Sequence, residues 1–95
     1  NTPKEEYIAA LFDDVNKVVL EGKTVLLYPH QIKIIENPEN HTAPISAKAT
    51  VLDSYFKGSY WLIEADFDGQ IVFFNHFSDL QEKKVIHIYF ILKRI

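Results

Sequence analysis

Three acidic side chains, Glu64, Asp66 and Asp68, recur at every second position. In an extended strand that spacing puts them on one face, and Asp53 joins them if the preceding strand pairs alongside. A row of carboxylates could ligate a hard cation, which takes several oxygen donors. No carbonyl-rich loop accompanies this row, so a solvated strand face is the expected role. The four histidines, His30, His41, His76 and His87, contain no pair at ligand spacing. They are expected to be surface or packed residues, and no metal site is expected. Tyr55 and Tyr60 flank a Lys57-Gly58 turn, where exposed aromatics could stack bases. Only Lys48 and Lys57 lie nearby, and the formal net charge of −3 argues against a nucleic-acid partner, whose affinity rests on neutralised phosphates. The three glycines read as turn residues, so there is no phosphate-binding loop. No serine sits in a Ser-His-Asp motif. The absence of cysteine excludes disulfides, thiol catalysis and cysteine-ligated metal, and is compatible with a reducing compartment.

The elements that carry these side chains form a meander. Residues 47–56, 60–67 and 70–75 read as consecutive antiparallel strands, separated by Lys57-Gly58-Ser59 and by Asp68-Gly69. Asp-Gly between alternating runs signals a type I′ hairpin, because that turn needs positive φ at both central residues. A turn that tight sets Phe67 opposite Gln70, Ala65 opposite Val72 and Ile63 opposite Phe74. Trp61, Ile63, Ala65, Val72 and Phe74 then share one apolar face, with His76 opposite Trp61 at its edge.

The rest of the chain supports that sheet. Thr2-Pro3-Lys4-Glu5 is a helix start with a cap, a first-position proline and a capping-box carboxylate. Tyr7, Ile8, Leu11 and Phe12 follow on one helical stripe, and Asp13-Asp14 mark its end. At about three turns this helix needs a surface to dock on. Residues 18–20 and 24–28 form a hairpin around Glu21-Gly22-Lys23, which Pro29 ends. Ile32 and Ile34 share one side of a short run, and residues 36–44 form a loop. A polar connection at 77–84 turns at Ser78-Asp79. The last strand, 85–92, places Ile86, Ile88, Phe90 and Leu92 on one face and Val85, His87, Tyr89 and Ile91 on the other, so it wants cover on both.

Ninety-five residues that are 47% hydrophobic make one globular domain with little stability margin. No apolar run reaches the roughly 20 residues of a transmembrane helix, and the polar start is no signal peptide. The chain contains no methionine, and Asn1 is therefore expected to be a cut point within a longer protein. The fold expected is all-β: a small OB-like antiparallel β-barrel with a short N-terminal helix. An open half-sandwich fits the pattern nearly as well.

Several stretches in order resemble a known family, the transport-associated OB (TOBE) domain at the C-terminus of ABC-type importer ATP-binding subunits. Thr2-Pro3, then Tyr7-Ile8-Ala9-Ala10-Leu11-Phe12 and Asn16, is similar to the family's linker helix. Tyr28-Pro29-His30-Gln31-Ile32-Lys33-Ile34 resembles its Pro-containing strand entry. Ala49-Thr50-Val51-Leu52-Asp53, Phe56-Lys57-Gly58 and Asp68-Gly69 follow in the family's order, so the likeness spans most of the chain. It departs at Tyr28, His30 and Gln31, where the family has Arg, Glu and Asp, and at Asp13, where it has glycine. Ser46-Ala47-Lys48-Ala49 echoes only half of the Ser-Ala-Arg-Asn stretch of molybdate-binding relatives, so oxyanion binding is not the main expectation.

The resemblance implies a linker helix over residues 1–16 and a barrel over 17–95. It implies a non-catalytic accessory domain with no cofactor of its own, since ATP and Mg would bind the upstream nucleotide-binding domain. The implied partners are that domain, a second copy of the subunit and the membrane subunits, at the cytoplasmic face of the inner membrane. Tyr7, Leu11 and Phe12, with Tyr89 and Ile91, are the contact residues expected. A second hypothesis is a small-ligand sensor of solute or oxyanion using Ser46, Lys48, Lys57 and Ser59. A third, disfavoured by the acidic balance, is a module for single-stranded nucleic acid.

Overall fold

The computed structural model describes residues 15–40 and 45–92. Its elements run β1 (Asn16–Leu20), β2 (Lys23–Leu27), a 3-10 turn (Pro29–Gln31), β3 (Ile32–Ile34), a second 3-10 turn (Pro38–Asn40), β4 (Ser46–Phe56), β5 (Trp61–Phe67), β6 (Gln70–His76) and β7 (Val85–Phe90). β1 and β2 pair with each other, and the other five strands form one antiparallel sheet in the order β3-β7-β4-β5-β6. The sheet curls until its edges, β3 and β6, pack together without a ladder between them. The result is an all-β half-barrel, with no α-helix among the described residues. The expected N-terminal helix, with Tyr7, Leu11 and Phe12, lies outside those residues.

The meander follows the expected register. Asp68 and Gly69 take φ of 54° and 81°, and Phe67 pairs with Gln70, Ala65 with Val72 and Ile63 with Phe74. Those last four side chains are fully buried, while Trp61 is half-buried. Burying a side chain the size of Ile63 or Phe74 contributes about 1.5–3 kcal/mol. Glu21 and Gly22 make the same kind of turn at φ of 50° and 80°, so Lys23 already belongs to β2, opposite Leu20.

β4 joins the two halves of the sheet. Its first part pairs with β7, from Ser46↔Tyr89 to Thr50↔Val85, and its second with β5, from Thr50↔Asp66 to Phe56↔Trp61. The register shifts between Val51 and Asp53, which makes Leu52 the extra residue of a bulge. Bulges bend the strand and sharpen its twist, which suits a sheet that must curl. The inward set changes there from Ala49 and Val51 to Ser54. Ser54 Oγ donates to the Leu80 carbonyl at 3.0 Å and accepts from the Leu80 N–H at 3.2 Å.

Two expectations are corrected. The 77–84 connection turns at Glu82-Lys83, not at Ser78-Asp79, and Lys83 has φ of 72°. Backbone bonds from Lys83 N–H to the Val51 carbonyl and from Val51 N–H to the Lys84 carbonyl, both 2.8 Å, pin that turn beside β4. Ile86, Ile88 and Phe90 are buried as expected, but β7 ends at Phe90 and Leu92 is exposed. The chain beyond Phe90 is held by Gln31. Its carbonyl accepts from Ile91 N–H at 2.8 Å, and its Nε2 donates to the Ile91 carbonyl at 2.9 Å.

Side-chain amides also seat the β1–β2 hairpin on the edge of β6. Asn16, 4% exposed, donates from Nδ2 to the Phe73 carbonyl at 2.8 Å and accepts the Phe73 N–H on Oδ1 at 2.7 Å. Gln70 returns the arrangement, accepting the Val19 N–H at 2.8 Å and donating to the Val19 carbonyl at 3.2 Å. Asn16→Ala strands a part-buried N–H and carbonyl of Phe73, and should cost about 1–3 kcal/mol in urea unfolding. Gln70→Ala, at the exposed end of the same edge, should cost less than about 1 kcal/mol. Equal losses would show that the clamps are interchangeable.

Candidate functional site

The seam where β3 meets β6 holds a cleft of about 440 Å³. One bank is Lys33, Ile34 and Glu36, with Tyr89 behind them on β7; the other is Ser59, Tyr60, Asn75, His76 and Phe77. Alternation along β3 explains Lys33, because Ile32 faces the core and its neighbour must face out. Tyr89 sits in register with Lys33 on one side and Ser46 on the other. Asn75 is opposite Leu62 and His76 opposite Trp61, as the Asp-Gly register requires.

Ile34, Glu36, His76 and Phe77 line both this cleft and a second cavity of about 430 Å³. The rings of His76 and Phe77 lie 4.3 Å apart at 37°, and Phe77 is 80% exposed. Burial holds the His76 imidazole below its ordinary pKa; the Glu36 carboxylate opposes this and the Lys84 ammonium reinforces it. Near neutral pH His76 is therefore an uncharged donor and acceptor.

The residues singled out from sequence fall in different places. Ser59 and Tyr89 meet in the cleft. Ser46 lines a separate cavity of about 290 Å³, and Lys48 pairs with His87 on the exposed start of β4. Lys57 is exposed in the β4–β5 connection, and Ile91 is exposed just past β7. Ser46 and Lys48 lie at the start of the eleven-residue β4, and Lys57 and Ser59 lie just past its end. Lys33, Asn75 and Phe77 belong to the cleft and were not singled out. Phe77, an aromatic residue opening a polar connection, was the one local signal.

The carboxylates serve nearby groups. Asp53 pairs with Glu64, and its Oδ1 accepts the Ser54 N–H at 2.8 Å. Asp66 accepts the Gly69 N–H at 3.0 Å, which braces the hairpin turn. The Tyr55 hydroxyl donates to Glu64 at 2.6 Å. That bond favours the neutral phenol, and with burial and the charges of Glu64 and Asp53 it pushes the Tyr55 pKa up to about 12. Tyr55 is thereby committed to the carboxylates while Tyr60 lines the cleft. Among the described residues no three His, Asp or Glu side chains are grouped to hold a metal.

Two titrations check this arrangement. A His76 pKa lower in the folded than in the unfolded chain means that unfolding takes up a proton. Stability should therefore fall as pH drops below about 6.5, the unfolded imidazole value. His76→Gln should flatten that slope in thermal melts at a series of pH values. Absorbance titration should show one tyrosine ionising near pH 12 that disappears in Tyr55→Phe. The Tyr55 contribution is complete below the unfolded value of about 10 and is lost as pH rises through the folded one.

No family model matches the chain, and neither a curated protein nor a solved structure matches it. What the seam does must be argued from its own geometry.

Proposed function

We propose that the chain is a non-catalytic accessory domain of the ATP-binding subunit of an ABC-type importer. It supports pairing of two such subunits and conveys regulation to ATP-driven uptake at the cytoplasmic face of the inner membrane. ATP and Mg bind the upstream domain of the same subunit. The ordered resemblance from Thr2 to Gly69 suggests this reading, and one physical observation carries it: the apolar surface beyond β7. Ile91 and Leu92 are 40% and 41% exposed, and Leu92 lines a groove of about 510 Å³ with Leu26 and Tyr28, which are 64% and 45% exposed. Contiguous exposed apolar side chains of this kind mark surfaces that meet other proteins. Where the family carries charges, Tyr28 stacks on His30 at 5.9 Å and Gln31 is buried as a clamp, so contact here relies on apolar area.

A small-ligand sensor on the same half-barrel is the second reading, and the seam cleft favours it. The coding sequence upstream of Asn1 decides the first. A G-x-x-x-x-G-K-[ST] loop with a downstream Asp-Glu, roughly 200 residues earlier, is expected. A start codon directly before Asn1, or an unrelated domain there, would remove the importer reading. In the whole subunit, Phe12→Ala and Ile91→Asp should each weaken dimerisation about tenfold in sedimentation.

A further inference from the structure

We propose that the seam cleft is a binding site for a neutral hydroxylated ring, a mono- or disaccharide, resting on the Tyr60 and Phe77 rings of one bank and hydrogen-bonded by Asn75, Ser59, Lys33 and Glu36. This deepens the sensor reading and does not depend on the importer one. Four observations lead to it.

The size is right for a small molecule and wrong for a strand. The edge of β3 faces the end of β6 beyond the Asn16 clamp, and unpaired edges of this kind invite an added strand. Inserting one requires about 9.6 Å between the flanking strands, twice the usual spacing. Cα atoms of β3 and β6 approach within 8 Å. A peptide therefore cannot complete the barrel here, whereas 440 Å³ lies within the range of small-ligand sites.

The charge is balanced. Lys33 and Glu36 stand on the same bank, and burial keeps His76 uncharged at neutral pH. An oxyanion would meet one cation and one anion, with little net attraction. Uncharged hydroxyls can instead use the ammonium as donor and the carboxylate as acceptor.

The hydrogen-bonding groups are mixed. Asn75 offers both donors and an acceptor, and Ser59 offers a hydroxyl that does either. Adjacent ring hydroxyls, each donor and acceptor, match such a set.

The aromatics offer faces. Phe77 is 80% exposed and lies against His76, and Tyr60 is 38% exposed on the same bank. An exposed aromatic ring offers a face that the apolar C–H face of a sugar can cover.

The test is a nuclear magnetic resonance titration of the ¹⁵N-labelled chain with glucose, galactose, mannose, maltose and trehalose. Glycine, phenylalanine, inorganic phosphate and adenosine monophosphate serve as comparison ligands. At least one saccharide should give saturable shifts at Ser59, Asn75 and Phe77 with millimolar affinity. Asn75→Ala and Phe77→Ala should weaken it about tenfold, and Lys48→Ala should leave it unchanged. Phe77 is too exposed for its loss to threaten the fold, so an unaltered titration in Phe77→Ala would overturn the site. The proposal also fails if no saccharide saturates, if the shifts map elsewhere, or if phosphate, an amino acid or the nucleotide occupies the cleft more tightly.

Discussion

The carboxamide of Asn16 stands in for a peptide group. It gives the Phe73 N–H and carbonyl the partners that a neighbouring strand would supply, at 2.7 and 2.8 Å. It lets the hairpin lie on β6 with no ladder between β1 and β6. The Gln70 amide does the same at Val19, while Gln31 uses its side chain for the Ile91 carbonyl and its main-chain carbonyl for the Ile91 N–H. Buried polar groups must be hydrogen-bonded, and at the part-buried Phe73 the Asn16 side chain meets that requirement where no strand pairs.

Closure of the half-barrel follows from this. β4 turns the sheet at its bulge, and the amides hold the hairpin and the end of β7 in the positions that the turn creates. What remains uncovered is the short seam between β3 and the end of β6. The cleft is thus a by-product of joining a curled sheet with side chains instead of a last ladder. Of its lining, Lys33, Asn75 and Tyr89 are outward residues of strands whose inward neighbours form the core.

Local chemistry made the meander legible. Asp68-Gly69 fixed one turn, and period-two alternation then fixed every pair from Trp61 to His76. The β1–β2 hairpin was legible for the same reason, to within a residue or two at its ends. The bulge at Leu52 carried no glycine or proline to announce it, and the turn at Lys83 is held by bonds to Val51 that no local pattern encodes. Pairing of β3 with β7 joins residues from opposite ends of the described chain, so the cleft could not be assembled from sequence. Ser59 and Tyr89 were each singled out for other reasons, and their meeting is a product of that long-range pairing.

The free edges of these strands carry a consequence for how the molecule can associate with itself. An open sheet edge is a template on which copies can polymerise. β3 offers only three residues, set between Pro29 and Pro38. β2 begins at Lys23 and is stopped by Pro29 two residues after it ends. β6 has its exposed stretch occupied by Asn16 and by the hairpin. Among the described residues, backbone-to-backbone growth into fibrils is therefore disfavoured at each of these edges by shortness, proline or an amide, which leaves side-chain faces as the surfaces for association.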